Sequence, residues 1–542
     1  MFHFWQHNSQ IIILDETPGR LIRFTQHGAV GDNTAMASGD AMRAASANTG
    51  KKDGDPQMDT NTQSDTGAQG GLAALDAAVR RDLDIIRYPR KEWVPAMERD
   101  GQRVLDVAII GAGQGGLATA FALKRNNITN VRIFDRASRG GEGPWVTFAR
   151  MITLRTPKYV TGPDLGVPSL TPRSWYEAQY GAPAWEKLDK IPRGQWQAYL
   201  DWYRDILDLP VANDHDFQGV TWEGGLLRLT FARPDGTTHV HYARKLVLAT
   251  GIEGCGAWNV PDFIRESLPR ARYAHTSEAI DFAALKGRRI GVLGAGASAF
   301  DNAATALEEG VGSVTLCLRR KEIPSINPYR WMENTGFLAY YPALSDDLRW
   351  GFMRRIFELN QPPPQDTFWR CRKHASFSYR TGCPWTAVRM EGDEIVVESP
   401  TGEMRFDFVI VGTGFTTDLA RRAETRSFAA SVALWGDHYT APAGSESAVL
   451  ESYPYLGANY QFLPRSKDDP LAPMLANIHN FTFSATPSMG LSGASISGMR
   501  FGVERLAHGL GRDLYVADGQ KHLESLLAYN VPELVSLDPP VA

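Results

Sequence analysis

Two glycine-rich turns constrain the fold of this chain more than any other feature of its sequence. The first runs from Gly111 to Gly116 (GAGQGG) and the second from Gly294 to Ala299 (GAGASA). They lie roughly 180 residues apart, and each follows a short apolar run and precedes a helical pattern, so a domain-sized unit is repeated. The G-x-G-x-x-G/A spacing allows a tight turn, a close approach of the backbone to a pyrophosphate, and packing of helix on sheet. The sequence therefore predicts an α/β fold with two Rossmann-like dinucleotide-binding domains.

The residues around both turns follow the same order of strand, turn, helix and strand. Each copy also ends in a strand that runs into a Thr-Gly pair, at Thr250-Gly251 and at Gly412-Thr413-Gly414. The predicted strands are 104–110, 131–134, 218–222, 226–231, 238–242, 245–249, 289–293, 314–318 and 408–411. The predicted helices near the turns are 117–124 and 299–309. Apolar residues at helical spacing predict a further amphipathic helix from Leu72 to Ile86.

The residue that closes each unit distinguishes the two dinucleotides. Asp135, followed by Arg136, ends the second strand 24 positions after Gly111, where a carboxylate can accept both ribose hydroxyls. At the matching position of the second unit stand Arg319 and Arg320, which can bind a 2′-phosphate. The second site is therefore predicted to take NADPH, and solvated surface arginines are the alternative interpretation. The candidate residues in the turns are Gly111, Gly113, Gly115 and Gly116, and Gly294, Gly296 and Ser298.

Composition restricts the class of protein. The chain has 542 residues, 43% hydrophobic and 22% charged, with a net charge of −4. It has no bulk positive charge that would favour nucleic acid, and no apolar run of 18 residues that would span a membrane. Its four cysteines are sparse, which is consistent with a reducing cytoplasm, and no His/Cys cluster has the spacing of a zinc site. Residues 1–71 are predicted to be a disordered or accessory leader, because residues 24–71 have few large apolar side chains.

The layout of the two turns and the Thr-Gly segments resembles that of two-dinucleotide-binding-domain flavoproteins, over about residues 100–515. The resemblance implies FAD at the first turn and NADPH at the second. It implies an FAD domain over 72–281 and 401–542, interrupted by an NADPH domain over 282–400. Thr250, Gly251, Gly412, Thr413 and Gly414 would lie at the crossovers close to FAD.

The segment that follows the first unit separates two branches of these flavoproteins. Disulfide reductases have a C-x-x-x-x-C pair there, whereas residues 140–145 read GGEGPW and contain no cysteine. Gly-Gly followed by Trp145 is instead similar to the class B flavin monooxygenases, which include flavin-containing, Baeyer–Villiger and N-hydroxylating enzymes. The F-x-G-x-x-x-H marker of two of these branches keeps only His275, since Pro269 and Ala271 replace Phe and Gly. Gly412 to Phe415 resembles the A-T-G-Y segment of the N-hydroxylating and flavin-containing branches, with Gly in place of Ala and Phe in place of Tyr.

The stretch from Thr486 to Gly493 resembles the closing FAD segment of the same class, with Gly490, Leu491 and Ser492 as candidate cofactor contacts. Trp145 would border the isoalloxazine. His275 is a candidate contact of the nicotinamide nucleotide, and Arg155 and Lys158 are candidates for holding an anionic substrate or a cofactor phosphate. For each of these four residues, Trp145 included, an ordinary structural role is the alternative.

The resemblance implies an NADPH- and O2-dependent monooxygenase. In that class NADPH reduces FAD, and O2 adds to the flavin as a C4a-(hydro)peroxide that hydroxylates the substrate. The substrate would be a small organic molecule such as an amine, an amino acid, a ketone or a nitrogen heterocycle such as a purine. A flavin reductase or oxidase that inserts no oxygen is the second hypothesis, and a cofactor-binding protein without turnover is the third. A homo-oligomer is compatible with the sequence.

Overall fold

The computed structural model describes residues 4–7, 10–13, 65–87, 91–160 and 162–537. The chain divides into two compact units, residues 1–61 and 62–542. The first unit is described through one antiparallel hairpin, β1 (Phe4–His7) with β2 (Gln10–Ile13). The rest of the predicted leader lies outside the described residues, except that a helix already begins at Asp65, before the expected onset of order near Leu72.

The strands of the second unit are between two and eleven residues long. They are β3 (Glu98–Arg99), β4 (Gln102–Arg103), β5 (Leu105–Ile110), β6 (Val131–Phe134), β7 (Val211–Ala212), β8 (Asp216–Glu223), β9 (Leu226–Ala232), β10 (Thr238–Leu248), β11 (Gly256–Trp258), β12 (Tyr273–His275), β13 (Arg289–Leu293), β14 (Ser313–Cys317), β15 (Phe377–Arg380), β16 (Ala387–Glu391), β17 (Glu394–Glu398), β18 (Met404–Phe406), β19 (Phe408–Val411), β20 (Phe415–Thr417) and β21 (Ile478–Asn480).

The helices range from one turn to about six turns. They are α1 (Asp65–Ile85), α2 (Gln114–Arg125), α3 (Pro172–Tyr180), α4 (Ala182–Lys187), α5 (Arg193–Ile206), α6 (Asp262–Arg265), α7 (Ala297–Glu308), α8 (Pro328–Met332), α9 (Thr335–Tyr340), α10 (Asp346–Leu359), α11 (Gln365–Arg372), α12 (Ala423–Arg426), α13 (Trp435–His438), α14 (Ala448–Glu451), α15 (Ala472–Leu475), α16 (Thr486–Met489), α17 (Ile496–Ala517) and α18 (Gly519–Leu527). Among the described residues, no helix has both the length and the apolar composition needed to cross a bilayer.

The first sheet carries the first glycine turn. Its strand order is β7-β6-β5-β10-β9-β8, and β21 pairs with β10. Strand β5 is buried from Asp106 to Ile110, as expected for a central parallel strand covered on both faces. Helices α2 and α17 pack together on this sheet, which with them forms what we call the first module.

The second sheet carries the second glycine turn and has the order β12-β19-β13-β14-β15, with all of its strands parallel. Helix α7 packs against it, and its core is separate from that of the first sheet. We call this sheet and its helices the second module. The first sheet is mixed and the second is wholly parallel, and each carries a glycine turn followed by a helix, which confirms the predicted fold class.

A two-stranded antiparallel ribbon, β11 with β20, marks the two places where the chain passes between the modules. The second sheet takes strands from 273–275 and from 408–411, which lie outside the predicted domain of 282–400. We propose that the boundaries predicted at 281/282 and 400/401 move outward to the ribbon, because β12 and β19 form hydrogen bonds with the second sheet.

One long strand replaces two predicted ones. Residues 238–248 form a single strand, β10, whose first half pairs antiparallel with β9 and whose second half pairs parallel with β5. The predicted break near residue 243 is absent, because Ala243 pairs with β9 and with β5 and so continues the strand from one partner to the other.

Candidate functional site

The first glycine turn leaves an open backbone surface at the end of β5. Gly111 has φ +104°, a conformation that glycine adopts without strain. A Cβ on Gly116 would lie 1.9 Å from the carbonyl oxygen of Gly111, whereas a Cβ on Gly113 would meet nothing within 4 Å. Gly113 is also the N-cap of α2 and gives it no side-chain cap. Gly113 therefore leaves open space at the N-terminus of α2, which suits a phosphate group.

Asp135 stands at the end of β6, beside this turn. Its Oδ2 accepts a hydrogen bond from the Ala112 amide at 2.7 Å, and its Oδ1 accepts one from the Ala137 amide at 2.8 Å. Burial raises the pKa of this carboxyl group above its ordinary value. Each oxygen keeps a further acceptor site, so a ribose diol can be bound there. Arg136 is exposed next to it.

The predicted closing segment packs against the first turn. Gly490, with φ +72°, ends α16, and Leu491 and Ser492 are buried after it. A Cβ on Gly115 would lie 2.9 Å from the carbonyl oxygen of Gly493. The fold thus brings the two sequence-distant candidate segments into contact, with the N-terminus of the long helix α17 only three residues further on.

Glu142 organises the GGEGPW loop, and sequence reasoning missed it. The side chain is 4% exposed. It accepts hydrogen bonds from the Gly140 amide (2.7 Å), the Arg204 guanidinium (2.9 Å) and the Asn213 amide (2.6 Å). A lone acid in a glycine-rich loop was the only sequence signal, because its partners on other elements lie more than sixty residues away.

Trp145 is half-buried and connects this loop to the first turn. Its ring meets Trp196 edge to face, with centroids 6.4 Å apart. The Trp196 indole N–H donates to the Gln114 side chain at 3.3 Å, and the Arg193 guanidinium donates to the Trp145 carbonyl oxygen. Trp196 and Gln114 are therefore further residues of the site that sequence reasoning did not identify.

The second turn repeats the geometry of the first, with Ala299 in place of the third glycine. Gly294 has φ +114°, and a Cβ there would lie 2.2 Å from the carbonyl oxygen of Gly412. A Cβ on Gly412 would lie 2.7 Å from the Cβ of Ala299, the residue at the third glycine position. Gly296 is open in the same way as Gly113, and Ser298 is exposed on the first turn of α7.

Arg319 and Arg320 are both exposed just beyond β14. The guanidinium of Arg320 donates to the carbonyl oxygen of Glu358 at 2.9 Å. Both cations lie at the carboxyl edge of the second sheet, the edge from which the Gly294 turn also leaves. This position is compatible with the predicted contact to a 2′-phosphate.

His275 lies at the passage between the modules and is fully buried. Its Nδ1 accepts a hydrogen bond from the Ser277 amide (3.2 Å), so its Nε2 donates to the Gly414 carbonyl oxygen (3.1 Å). Its ring stacks on Trp258 of the ribbon, with centroids 5.6 Å apart and planes 9° apart. Burial lowers the pKa of His275 to about 4, so it is neutral at pH 7. With both nitrogens bonded to protein, it has no atom free for a nucleotide in this structure.

The two crossover segments are tied to their surroundings by their threonines. The Thr413 hydroxyl donates to the Asn259 carbonyl oxygen, and the Thr250 hydroxyl contacts Glu424 at 3.4 Å. Gly251 and Gly414 have φ values of +76° and +80°. The left-handed backbone at both positions explains why glycine follows threonine in each segment.

The structure separates Arg155 from Lys158. The Lys158 ammonium donates to the Trp185 carbonyl oxygen at 2.6 Å and lies over the Trp185 ring, so it has a structural role in the first module. Arg155 instead reaches the second module, where it pairs with Asp301 of α7 at 2.7 Å. Arg155 also lines a cavity of about 380 Å³.

That cavity lies where four segments meet. They are residues 151–155 after the Trp145 loop, residues 189–190 before α5, Asn327 and Arg330 at α8, and residues 361–369 at the start of α11. The described residues include no group of three or more His, Cys, Asp or Glu side chains that could hold a metal ion, and all four cysteines are buried and free.

Comparison with known proteins agrees with this architecture. A family described as pyridine nucleotide-disulphide oxidoreductase matches residues 108–334. The chain is 44% identical over 474 residues to an FAD-dependent urate hydroxylase of Xanthomonas campestris pv. campestris, an alignment that covers 86% of this chain and 97% of that protein.

Solved structures share the fold at low sequence identity. The ornithine hydroxylase of Pseudomonas aeruginosa is 17% identical with a TM-score of 0.59, and the match covers 76% of this chain and 100% of that one. The ornithine N-hydroxylase of Kutzneria sp. 744 is 15% identical with a TM-score of 0.57, and covers 76% of this chain and 99% of that one. The L-lysine 6-monooxygenase of Pseudomonas syringae is 17% identical with a TM-score of 0.55, covering 75% and 99%.

The identity to the Xanthomonas protein extends over nearly the whole of that enzyme, and the cysteine pair of the disulfide reductases is missing. The chain therefore belongs to the FAD-dependent urate hydroxylase family, a class B flavin monooxygenase-like family of FAD-dependent oxidoreductases.

Proposed function

We propose that the protein hydroxylates urate, or a closely related oxidised purine, with NADPH as electron donor and O2 as oxygen source. The observation that carries the substrate is the 44% identity to a urate hydroxylase over 97% of its length. In such a reaction one atom of O2 enters the purine and the other leaves as water, and NADPH supplies the two electrons. A purine is also among the substrates that the sequence pattern left open.

The residues of the first module fit FAD. Gly113 leaves open space at the N-terminus of α2 for a pyrophosphate, and Asp135 has acceptor sites for the ribose. Leu491 and Ser492 of the closing segment lie beside the same turn and would border the flavin. When bound, FAD would accept electrons from the nicotinamide and pass them to O2.

The residues of the second module fit NADPH. Gly296 leaves open space at the N-terminus of α7, and Arg319 and Arg320 are exposed cations at the ribose end. A guanidinium binds a phosphate dianion strongly and gains little from a plain hydroxyl, so NADPH would be preferred over NADH.

The protein's own contribution is orientation and the exclusion of water. Trp145 and Trp196 form an aromatic wall that continues from the first turn, which keeps this side of the site apolar. Neutral His275 would hold the Gly414 crossover in place and carry no proton to the substrate. We assign it a positioning role at the hinge.

We further propose a cytoplasmic location, which the four buried free thiols support. A homo-oligomer remains a prediction, and light scattering of the purified protein would measure it.

The experiment is turnover of urate under labelled dioxygen. Urate should accelerate NADPH oxidation by the FAD-loaded enzyme, and mass spectrometry should find one labelled oxygen atom in the purine product. NADPH oxidation that releases peroxide, with no label in any product, would instead establish an oxidase. Hypoxanthine and ornithine serve as comparison substrates, and faster labelling of either would overturn the assignment to urate.

A further inference from the structure

The cavity beside Arg155 combines cationic and flat apolar surfaces. Arg155, Arg330 and Lys190 line it, together with the exposed faces of Ile152 and Trp369. Its volume of about 380 Å³ lies within the range of small-molecule sites. It is bounded by both modules, because residues 151–155 follow the Trp145 loop and Thr367 contacts α7 through Asp301.

Arg155 is held in a fixed position by a buried acid. Asp301 is 2% exposed and accepts from the Arg155 guanidinium at 2.7 Å and from the Thr367 hydroxyl at 3.1 Å. The carboxylate accepts from Nη2 of the guanidinium, which has five N–H donors in all. The Nε of Arg155 is buried and has no hydrogen-bond partner. An arginine fixed in this way has donors left for a ligand and loses little entropy on binding one.

Arg330 brings a second guanidinium to the same cavity. Its Nη2 donates to the Arg155 carbonyl oxygen at 3.0 Å, and its Nη1 pairs with Glu333 at 3.2 Å. The other charges on the wall are Lys190, which pairs with Asp189 at 3.4 Å, and the exposed Asp366. The lining carries three positive and two negative side chains, so its net charge is +1. The two arginines lie next to each other, because Arg330 donates to the backbone of Arg155.

We propose that this cavity is the subsite that selects the substrate as a planar, oxygen-rich anion, with Arg155 and Arg330 as the specificity-determining residues. Asp301 is the positioning residue that fixes Arg155. The inference rests on the proposed function, since urate at neutral pH is such an anion. Its ring would pack on Trp369 and Ile152, while its oxygens accept from the guanidinium groups.

The test measures binding and kinetics in the FAD-loaded enzyme with Arg155→Met, Arg155→Lys and Arg330→Met. Each methionine variant should raise both the KM for urate and the Kd from titration calorimetry about ten- to hundredfold, because one charge-assisted contact is lost. Arg155→Lys should have a smaller effect because it keeps the charge. The KM for NADPH and the flavin content should stay unchanged. Arg355→Met is the matched control, since Arg355 is 66% exposed on α10 and does not line the cavity.

In Arg155→Met the buried Asp301 loses its 2.7 Å ion pair and keeps the longer one with Arg370 at 4.0 Å, so the double variant Arg155→Met/Asp301→Asn is tested beside it. Asp301→Asn alone should raise the KM for urate with little change in kcat, since Arg155 is then present but less well placed. Hypoxanthine is planar but neutral near pH 7, so it should bind the wild-type protein more weakly than urate does. Its Kd should be the same for the Arg155→Met and Arg330→Met variants as for wild type.

Unchanged urate KM and Kd in both methionine variants would overturn the subsite. A raised KM for NADPH with an unchanged KM for urate would also overturn it, because the cavity would then hold a nucleotide phosphate. If wild type fails to hydroxylate urate, the proposed function fails by itself. Calorimetry with urate as the probe still decides whether the two arginines bind a planar anion.

Discussion

At the scale of single residues, Glu142 shows how a buried charge can hold a loop that carries no regular structure. Its three partners come from the loop itself, from Arg204 of α5 and from Asn213 after β7. The pairing satisfies the carboxylate and the guanidinium together, and either one alone would be costly to bury. The loop that positions Trp145 therefore depends on one side chain that makes no contact with Trp145.

Replacing Glu142 with Ala should lower the free energy of unfolding by about 3–5 kcal/mol, because Arg204 would be left buried without its partner. Glu142→Gln should cost less, since its amide oxygen can still accept from the Gly140 amide. Urea denaturation of the FAD-loaded protein measures both values. Asp205→Ala on the exposed side of α5, where Arg139 pairs at 2.6 Å, should cost less than about 1 kcal/mol. Equal losses at Glu142 and Asp205 would contradict this role.

At the scale of elements, the glycines of the first turn fall into two kinds. Gly116 is required by packing, since its Cβ would meet a backbone oxygen at 1.9 Å. Gly113 has open space around its Cβ position and an ordinary negative φ of −70°, so the fold itself does not require glycine there. What remains to explain Gly113 is the approach of a ligand to the backbone.

Gly113→Ala should therefore fold with a loss of about 1 kcal/mol or less and yet bind FAD poorly. Gly116→Ala should destabilise the apoprotein by about 1–3 kcal/mol or more, because the added methyl overpacks the turn. Circular dichroism melting reports the stability of each variant, and the flavin-to-protein absorbance ratio reports its FAD content. A Gly113→Ala variant that retains stoichiometric FAD would show that no cofactor approaches this turn.

The end of β14 permits a second prediction at this scale. Replacing Arg319 and Arg320 together with Ala should raise the KM for NADPH about tenfold or more and leave the KM for NADH and kcat unchanged. Steady-state kinetics with both nucleotides measures the ratio of the KM for NADH to the KM for NADPH. Arg372→Ala, at an exposed arginine in the last turn of α11, is the control. An unchanged preference for NADPH would mean that these arginines are only solvated.

At the scale of the whole molecule, His275 connects the second module to the ribbon through a neutral ring. The folded protein holds its pKa at about 4, mainly through burial, whereas the unfolded chain has the ordinary value of 6.5. The folded state thus binds fewer protons, so stability from this group is complete above pH 6.5 and falls as the pH drops toward 4.

The loss attributable to His275 should reach about 3 kcal/mol near pH 4. His275→Asn, which cannot titrate but can still donate to Gly414, should lose less stability than wild type between pH 6.5 and 4. Urea unfolding at several pH values gives the slope of the free energy of unfolding against pH for wild type and for the variant. His479, whose pKa burial also lowers to about 4, keeps titrating in the variant and serves as the internal reference. Identical slopes would contradict a buried neutral His275.

Local patterns predicted the parts of this fold that depend on neighbouring residues. Strands 131–134, 289–293 and 408–411 have the predicted bounds, because an apolar run between a helix and a turn has few other interpretations. The family, FAD dependence and two-sheet architecture followed from two glycine turns and a missing cysteine pair. The residue roles at the site stay proposals.

Features that depend on distant residues could not be predicted in this way. Glu142 needs Arg204, and the Arg155 site needs Asp301 from the other module. The helices between 328 and 372 depend on tertiary packing, as Tyr341 does against Gly490. The halves of β10 looked like two strands because only the assembled sheet shows that one strand pairs with both β9 and β5.

The contact between Ala299 and Gly412 has an evolutionary consequence. The second turn lacks the third glycine of its motif, and the crossover has Gly where its resembled segment has Ala. The two departures compensate, since a methyl at 412 would lie 2.7 Å from the methyl already at 299. Only one of the two positions has room for a side chain, so they should covary among relatives. Gly at 299 removes the closest of these contacts, and a methyl at 412 then lies 3.1 Å from the Leu293 carbonyl oxygen, which requires a small shift of the backbone. A lineage changing from one state to the other would have to pass through the doubly glycine intermediate.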